Sequence, residues 1–362
     1  MALSIGIIGL PNVGKSTLLN ALSNADAEAS NYPFCTIDCN QGVVAVPDER
    51  LEKLQSILEP KETIPATVTF IDIAGLVEGA SHGEGLGNKF LHHVREANVL
   101  AHVLRCFQDE NVAHVHGAFD PVNDLEIVET ELFLADLERI EHFLEKERHH
   151  AKAVKKGERR ELDFLEKLRD VISRGERIGL AEKTDYQEWI INDLRLLTMK
   201  PRMLVLNTGE EDPRGESGLC MRVKQHFGVE NTFVVSAKIE AEIAELPGDE
   251  RDIFMREMGI EKGAKERFIE KSHDLLGLIR FYTTAHDKLQ AWSLPRGTTA
   301  PRAAGMIHSD MEKGFIRAEV MGYEDLVSFG SRAEVQHHGL LRTEGHNYVI
   351  QDGDVVHILF NP

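Results

Sequence analysis

"LSIGIIGLPNVGKST", Leu3 to Thr17, is the stretch on which the reading of the fold turns. Its first half is a short apolar run ending in glycine, the pattern of a buried strand. Its second half fits G-x-x-x-x-G-K-[ST] with Gly9, Gly14, Lys15 and Ser16. The adjoining "KSTLLNALSNA" sets Leu18, Leu19 and Leu22 on one side of a helix. Glycines let a backbone wrap phosphates with its N–H groups turned inward, and a helix starting at the loop adds its positive dipole end. Lys15 supplies a mobile charge for β- and γ-phosphates, and Ser16 a hydroxyl for Mg2+. A glycine turn with a chance lysine would fit the pattern alone, but the strand before it and the helix after it favour a phosphate-binding loop. Asn12, Val13, Gly14, Lys15, Ser16 and Thr17 are therefore read as contacts to nucleotide phosphates.

Working outward, "ATVTFIDIAG" (from Ala66), "VLAHVLRCF" (from Val99), "RMLVLN" (from Arg202) and "TFVVSAK" (from Thr232) read as further strands. Strands alternating with helices imply a mostly parallel α/β sheet with helices on both faces. One interval is too long for a simple crossover, the one between Phe107 and Met203. Within it Leu132, Leu137, Ile140 and Leu144 keep helical spacing, as do Leu162, Leu165, Leu168 and Ile172. An inserted antiparallel helical hairpin is expected. Its tip gathers Arg148, His149, His150, Lys152, Lys155, Lys156, Arg159 and Arg160. That cluster reads either as a contact to a phosphate backbone or as a solvated face balanced by Glu145, Glu147, Glu158 and Glu161. From about Gly277 the pattern changes to a small α+β unit. There "LQAWSLP" and "FIRAEVM" read as strands, "TAPRAAGMIHSDM" as a helix, and "NYVIQDGDVVHILF" as two strands around an Asp-Gly turn.

The chain of 362 residues is 42% hydrophobic and 28% charged, the composition of a globular protein with more than one core. A net charge of −19 means that any nucleic-acid partner must meet a local basic patch. No apolar run approaches the ~18 residues of a membrane span, and the N-terminus has no basic region like that of a secretory leader. No membrane partner is expected. Cys35, Cys39, Cys106 and Cys220 are too few and scattered for a disulfide framework or a zinc site, so a reducing cytoplasm is the simplest setting.

Other residues extend the phosphate site. Asp72 ends the strand in "DIAG", where an acid would hold Mg2+ through water, and the Gly75 N–H would reach a γ-phosphate. Thr36, in "NYPFCTI", offers a hydroxyl to complete the metal shell when triphosphate is bound. Leu76 stands where a water-positioning glutamine is usual, so hydrolysis is expected to be slow or to use another group. His114 and His82 are the imidazoles that could orient or deprotonate water, although each is also readable as a surface or packing residue. The Asn12 side-chain oxygen could hold a monovalent cation against the phosphates.

In "NTGE", Asn207 to Glu210, a guanine-reading Asn-Lys-x-Asp motif is altered at two places. The aspartate that would accept hydrogens from guanine N1 and N2 is Glu210, whose extra methylene misplaces the carboxylate. The lysine stem that would cover the base is Thr208. Asn207 remains and can pair with N7 and the amine of adenine. These changes imply a relaxed or reversed base preference, favouring ATP. Ser236, Ala237 and Lys238 would supply backbone contacts and a lysine stem beside the base.

Taken together, "GLPNVGKST", "NYPFCTI", "DIAGLVEGASHGEGLGN", Asn207 with Glu210, "GFIRAEV" and "DGDVVHILF" resemble the YchF subfamily of Obg-like P-loop NTPases across nearly the whole chain. The resemblance implies an Obg-type G domain (1–125 and 200–276), an inserted coiled-coil hairpin (126–199) and a C-terminal TGS domain of β-grasp form (277–362). It also implies ATP hydrolysis with Mg2+, stimulation by potassium (K+), ribosome and RNA as partners, large subunit and whole particle alike, and a catalytic histidine matching His114 beside Lys15. The expected activity is a slow ATPase acting as a nucleotide switch on the ribosome. Other readings are a ribosome- or RNA-binding adaptor with a regulatory, nearly non-hydrolysing site, an ordinary GTPase, and a P-loop kinase. Glu210 stands against the GTPase, and the lack of an acceptor-binding lid against the kinase.

Overall fold

A computed structural model describes residues 3–24, 37–38, 41–73, 86–109, 112, 120–151, 159–176, 185–258, 260–285 and 287–361. The chain forms two compact units, one of Met1–Leu3, Ser23–Phe70 and Asp252–Pro362, the other of Ser4–Leu22 and Ile71–Arg251. The elements begin with β1 (Leu3–Ile8), α1 (Lys15–Asn24), β2 (Ile37–Asp38), β3 (Gln41–Ala45), α2 (Glu49–Leu58) and β4 (Glu62–Ile64). Next come β5 (Thr67–Asp72), α3 (Leu86–Glu96), β6 (Val99–Arg105), α4 (Pro121–Ala151), α5 (Arg159–Ser173) and α6 (Asp185–Leu194). After these are β7 (Arg202–Asn207), α7 (Gly218–Phe227), β8 (Thr232–Val235), α8 (Ala237–Glu245), α9 (Gly248–Glu257) and α10 (Ala264–Leu276).

In the second unit the strand order is β1-β6-β7-β8. β1 and β6 pair in parallel with Ile5 opposite Val99, β6 and β7 with Leu100 opposite Arg202, and β7 and β8 with Leu204 opposite Thr232. Every residue of β6 is buried, as expected of a central strand covered on both faces. The parallel order brings the C-terminal ends of β1, β6, β7 and β8 to one edge of the sheet. In sheets of this kind ligands bind at that edge.

The described residues of the long interval after β6 are mostly helical. α4 runs for 31 residues and packs on α5 and α6 through Ile140, Leu144, Leu165, Leu168, Ile172, Ile190 and Leu194. Arg148 near the end of α4 pairs at 2.6 Å with Glu166 of α5. Of the basic tip only Arg148 has a described side chain; Lys152, Lys155 and Lys156 lie outside the described residues. No described helix is long and apolar enough to cross a membrane.

In the first unit β2 and β3 pair antiparallel. The remaining elements are β9 (Leu278–Ala285), β10 (Lys288–Pro295), α11 (Ala300–Ile307), α12 (Ser309–Lys313), β11 (Phe315–Gly322), α13 (Tyr323–Phe329), α14 (Arg332–His337), β12 (Arg342–Glu344) and β13 (Asp354–Phe360). They build a sheet of order β12-β11-β13-β9-β10-β4. β9 and β10 form an antiparallel hairpin, and β13 returns parallel to β9. Ala300, Ala303 and Ala304 put a small-residue face of α11 against Ile279, Phe281, Leu294 and Val320.

A second core, around Tyr282, Leu289 and Met321, takes Leu51 and Leu54 of α2. The Tyr282 hydroxyl donates to the carboxylate of Asp48, 2.9 Å to Oδ2, and Asp48 in turn caps α2 by accepting from Arg50 N–H. Burial, with the Asp48 charge beside it, pushes the tyrosine hydroxyl well above its ordinary pKa, so it remains a donor. Residues 49–64, assigned from sequence to the N-terminal domain, thus pack with the C-terminal sheet.

Two C-terminal expectations are corrected. "NYVIQDGDVVHILF" holds one strand, β13; Tyr348 to Ile350 make no strand, and Val349 forms only an isolated bridge to Thr299. The Asp354 carboxylate explains this, because Oδ2 accepts from Gln351 N–H at 2.8 Å and from the Tyr348 hydroxyl at 2.7 Å, folding the segment into a turn. The helix read at "TAPRAAGMIHSDM" is broken at His308, whose extended backbone and side-chain acceptance from Asp310 N–H start α12 afresh.

Candidate nucleotide site

The loop from β1 to α1 needs its glycines. Gly9 has φ 147° and Gly14 φ 95°, both in the region that side chains disfavour. A Cβ on Gly9 would lie 2.5 Å from the Val103 carbonyl oxygen, and one on Gly14 would lie 2.2 Å from Asn207 Nδ2. Asn12 takes φ 63°, a left-handed conformation that asparagine tolerates better than most residues. The Leu18 N–H donates to Gly14 O at 2.9 Å, so the helical bonding starts at the loop itself.

Lys15 is buried, and its ammonium donates to Gly9 O at 3.1 Å and to Leu10 O at 2.8 Å. Burial pushes its pKa down to about 8, against the neighbouring Asp72, which works the other way. The Ser16 hydroxyl donates to Asp72 Oδ2 at 2.9 Å. The other carboxylate oxygen, Oδ1, is buried without a protein partner among the described residues. A hydroxyl and a carboxylate with an unsatisfied oxygen form a hard, all-oxygen donor set, which fits Mg2+.

The segment expected to read the base is bonded within the protein. Asn207 Nδ2 donates to Val13 O at 2.9 Å, and Oδ1 accepts from Ala237 N–H at 3.0 Å. One amide hydrogen and one lone pair remain for a base. Thr208 is buried and sends its hydroxyl back towards Val235 O at 3.4 Å, so its side chain is part of the core. Glu210 Oε1 lies 2.9 Å from Lys238 Nζ, with both side chains half exposed or more. Ser236 caps α8 by accepting from Ile239 N–H. "SAK" thus contributes a helix cap, a backbone donor to Asn207 and a cation to Glu210.

The sequence reading missed Asp212, which fixes the loop after Glu210. Its carboxylate accepts from Glu216 N–H at 2.7 Å and Ser217 N–H at 2.9 Å. Burial pushes its pKa up, but the bonds from Ser217 and Glu216 outweigh this and hold it below the usual range. The signal was the turn chemistry of "DPRGES", an acidic residue ahead of proline and glycine. Cys106 and Cys220 are free and buried. Thr36, Gly75, Leu76, His82, His114, Cys35 and Cys39 lie outside the described residues.

A glycine-bounded phosphate loop at the C-terminal edge of a parallel sheet, with Lys15, Ser16 and Asp72 gathered around it, defines a P-loop NTPase. The sequence comparisons agree. A family described as "50S ribosome-binding GTPase" matches residues 4–159, and the YchF-GTPase C-terminal family, described as a protein of unknown function, matches residues 278–361. The chain is 46% identical to the "Ribosome-binding ATPase YchF" of Bacillus subtilis (strain 168) and 43% identical to that of Escherichia coli O157:H7, with all of both chains covered in each case. The solved YchF GTPase of Schizosaccharomyces pombe superposes with a TM-score of 0.85 at 34% identity, covering 99% of this chain and 97% of that one. The chain belongs to the YchF family.

Proposed function

We propose that the chain is an Mg2+-dependent ATPase that hydrolyses ATP in preference to GTP and works in the cytoplasm as a slow nucleotide switch on the ribosome. The curated relatives are named as ribosome-binding ATPases, whereas the Schizosaccharomyces pombe protein is called a GTPase, so base choice must rest on the site. The observation that carries it is the Glu210–Lys238 pair at 2.9 Å beside an inward-turned Thr208. The carboxylate that would read guanine is already held by a cation, and no lysine stem stands at position 208. Neither group rejects adenine.

Lys15 leaves the Gly9 and Leu10 carbonyls for β- and γ-phosphate oxygens, which is favourable because a buried cation gains an anion. Ser16 and Asp72 would hold Mg2+, with Thr36 joining when triphosphate is bound; the ion neutralises charge on the phosphates. Water is oriented by His114, the histidine the family resemblance designates, since Leu76 cannot hydrogen-bond. Asn12 offers its oxygen to K+. The G domain, helical insert and C-terminal TGS domain divide the work, with the basic hairpin tip and the terminal domain meeting ribosomal RNA.

ATP and GTP hydrolysis measured side by side with Mg2+, with and without ribosomes and potassium, tests this reading. Faster ATP turnover, raised by ribosomes or potassium, is expected; GTP turnover equal to or above it would refute the base assignment. Leu76 favours a second reading, an adaptor with a regulatory site. That reading would be adopted if single-turnover ATP cleavage is absent although ATP binds.

A further inference from the structure

Among the described residues, one group of side chains away from the nucleotide site has the donors and spacing of a metal centre: Glu334, His337 and His338. One donor atom from each lies within 4.8 Å of the other two, and all three residues are exposed. They occupy positions i, i+3 and i+4 of α14 and its C-terminal cap, so one face of a single turn presents all of them. The backbone beneath is closed off. Gly339 turns with φ 72°, and Leu340 N–H donates to Val335 O at 3.0 Å.

His338 carries a second, independent feature. Its Nδ1 lies 2.9 Å from the Glu334 carbonyl oxygen. A carbonyl only accepts, so Nδ1 bears the proton and Nε2 keeps its lone pair. Its ring also stacks on Phe329, with centroids 4.3 Å apart and planes at 27°. A histidine fixed by an N–H to a backbone carbonyl, with the other nitrogen free to donate, is how metal-binding imidazoles are held in place.

We infer that Glu334, His337 and His338 bind one borderline divalent transition-metal ion, of the Zn2+, Ni2+ or Cu2+ kind, with open positions for water. Two imidazoles and a carboxylate discriminate against Mg2+, which prefers an all-oxygen shell. The two metal sites of this chain therefore differ in chemistry, oxygen donors at Ser16 and Asp72 and a nitrogen-rich set on α14. The assignment does not depend on the nucleotide reading.

The test uses the full chain in excess Mg2+ with ATP, so that the nucleotide site is saturated. Zn2+ is titrated calorimetrically, and Cu2+ is examined by electron paramagnetic resonance. One Zn2+ equivalent and a Cu2+ signal split by two nitrogens are expected. His337→Ala should leave one nitrogen coupling and weaken Zn2+ binding at least about tenfold. Phe329→Leu should weaken it less while keeping both couplings. Both positions can be checked for folding by circular dichroism, and ATP turnover should not change in His337→Ala. Zn2+ binding of the same stoichiometry and affinity in His337→Ala/His338→Ala, or no Zn2+ binding by the unaltered chain, would overturn the site.

Discussion

Asn207 joins two parts of the nucleotide site through one amide, donating to Val13 O at 2.9 Å and accepting from Ala237 N–H at 3.0 Å. The phosphate loop and the loop opening α8 are therefore set by one side chain before any ligand arrives. Asn207→Ala removes both bonds and leaves a buried carbonyl and a buried N–H unsatisfied, a loss of about 2–4 kcal/mol of stability. Urea denaturation without nucleotide should show the loss. Asn207→Asp should fare almost as badly, because a carboxylate would face the Val13 carbonyl. If Asn207→Ala instead weakened nucleotide binding with no change in urea midpoint, the residue would serve the base alone.

Lys15 should leave a mark on the pH dependence of stability. A lysine ordinarily titrates near 10.5, and burial brings this one to about 8. Between those values the unfolded chain holds a proton that the folded chain has released, so raising the pH through this window favours the folded state, by up to about 3 kcal/mol. Below pH 8 both states are protonated and the burial penalty is felt in full. Relative to Lys15→Met, the unaltered chain should therefore gain stability from pH 8 to 10.5, read from denaturant midpoints at each pH. Triphosphate beside the ammonium raises its pKa, so ATP binding at about pH 8.5 should take up protons, seen as a dependence of calorimetric heat on buffer ionisation. Parallel stability profiles for the two proteins would mean that the lysine titrates normally.

The parts legible in the sequence were those whose signals are local. Gly9, Gly14, Lys15 and Ser16 fix a loop within one short stretch, and β6 shows itself as an unbroken apolar run because both its faces are covered. α2 illustrates the limit. Leu51 and Leu54 announce a buried face, but the surface they meet includes Tyr282, 234 positions beyond Asp48 in the chain. No periodicity encodes that partner. The same holds for Thr208 and Lys238. Their places in the two motifs are readable, whereas the direction each side chain takes is decided by Val235 and Glu210. The strand read before the Asp-Gly turn is absent because the alternating residues from Tyr348 satisfy a strand pattern that the Asp354 hydrogen bonds override.

Glu210 and Lys238 give the base preference a direct test. Their exposed pair contributes little to stability, so either residue can be altered without harming the fold. Glu210→Asp shortens the side chain, releases it from Lys238 and restores the carboxylate length that accepts from guanine N1 and N2. The ratio of ATP to GTP dissociation constants should move towards GTP by about tenfold, or ~1.4 kcal/mol. Lys238→Ala should move the ratio in the same direction, more weakly, by freeing Glu210. Fluorescent-nucleotide competition with unlabelled ATP and GTP reads both. An unchanged ratio in Glu210→Asp would show that position 210 does not sense the base.

Asp136 ties α4 to the segment that leads into β7. Its buried carboxylate accepts from Leu197 N–H and Thr198 N–H, each at 2.8 Å, and from the Thr198 hydroxyl at 2.7 Å. Lys200 continues the connection two residues on, donating to Arg95 O at 2.8 Å and Ala97 O at 2.5 Å at the C-terminal end of α3. The segment before β7 is thus fastened on one side to α4 and on the other to the helix after the glycine-rich loop. Asp136→Ala strands three donors, two of them backbone N–H groups, and should destabilise the unit by about 3–5 kcal/mol. Hydrogen exchange should quicken first at Leu197 and Thr198 and then along α4 and α6, while α1 and β1 stay protected. Asp136→Asn retains an acceptor but turns an amine towards a backbone donor, so it should recover only part of the loss. Exchange that rose uniformly through the unit would mean that Asp136 supports the fold as a whole and that α4 has no separate fastening there.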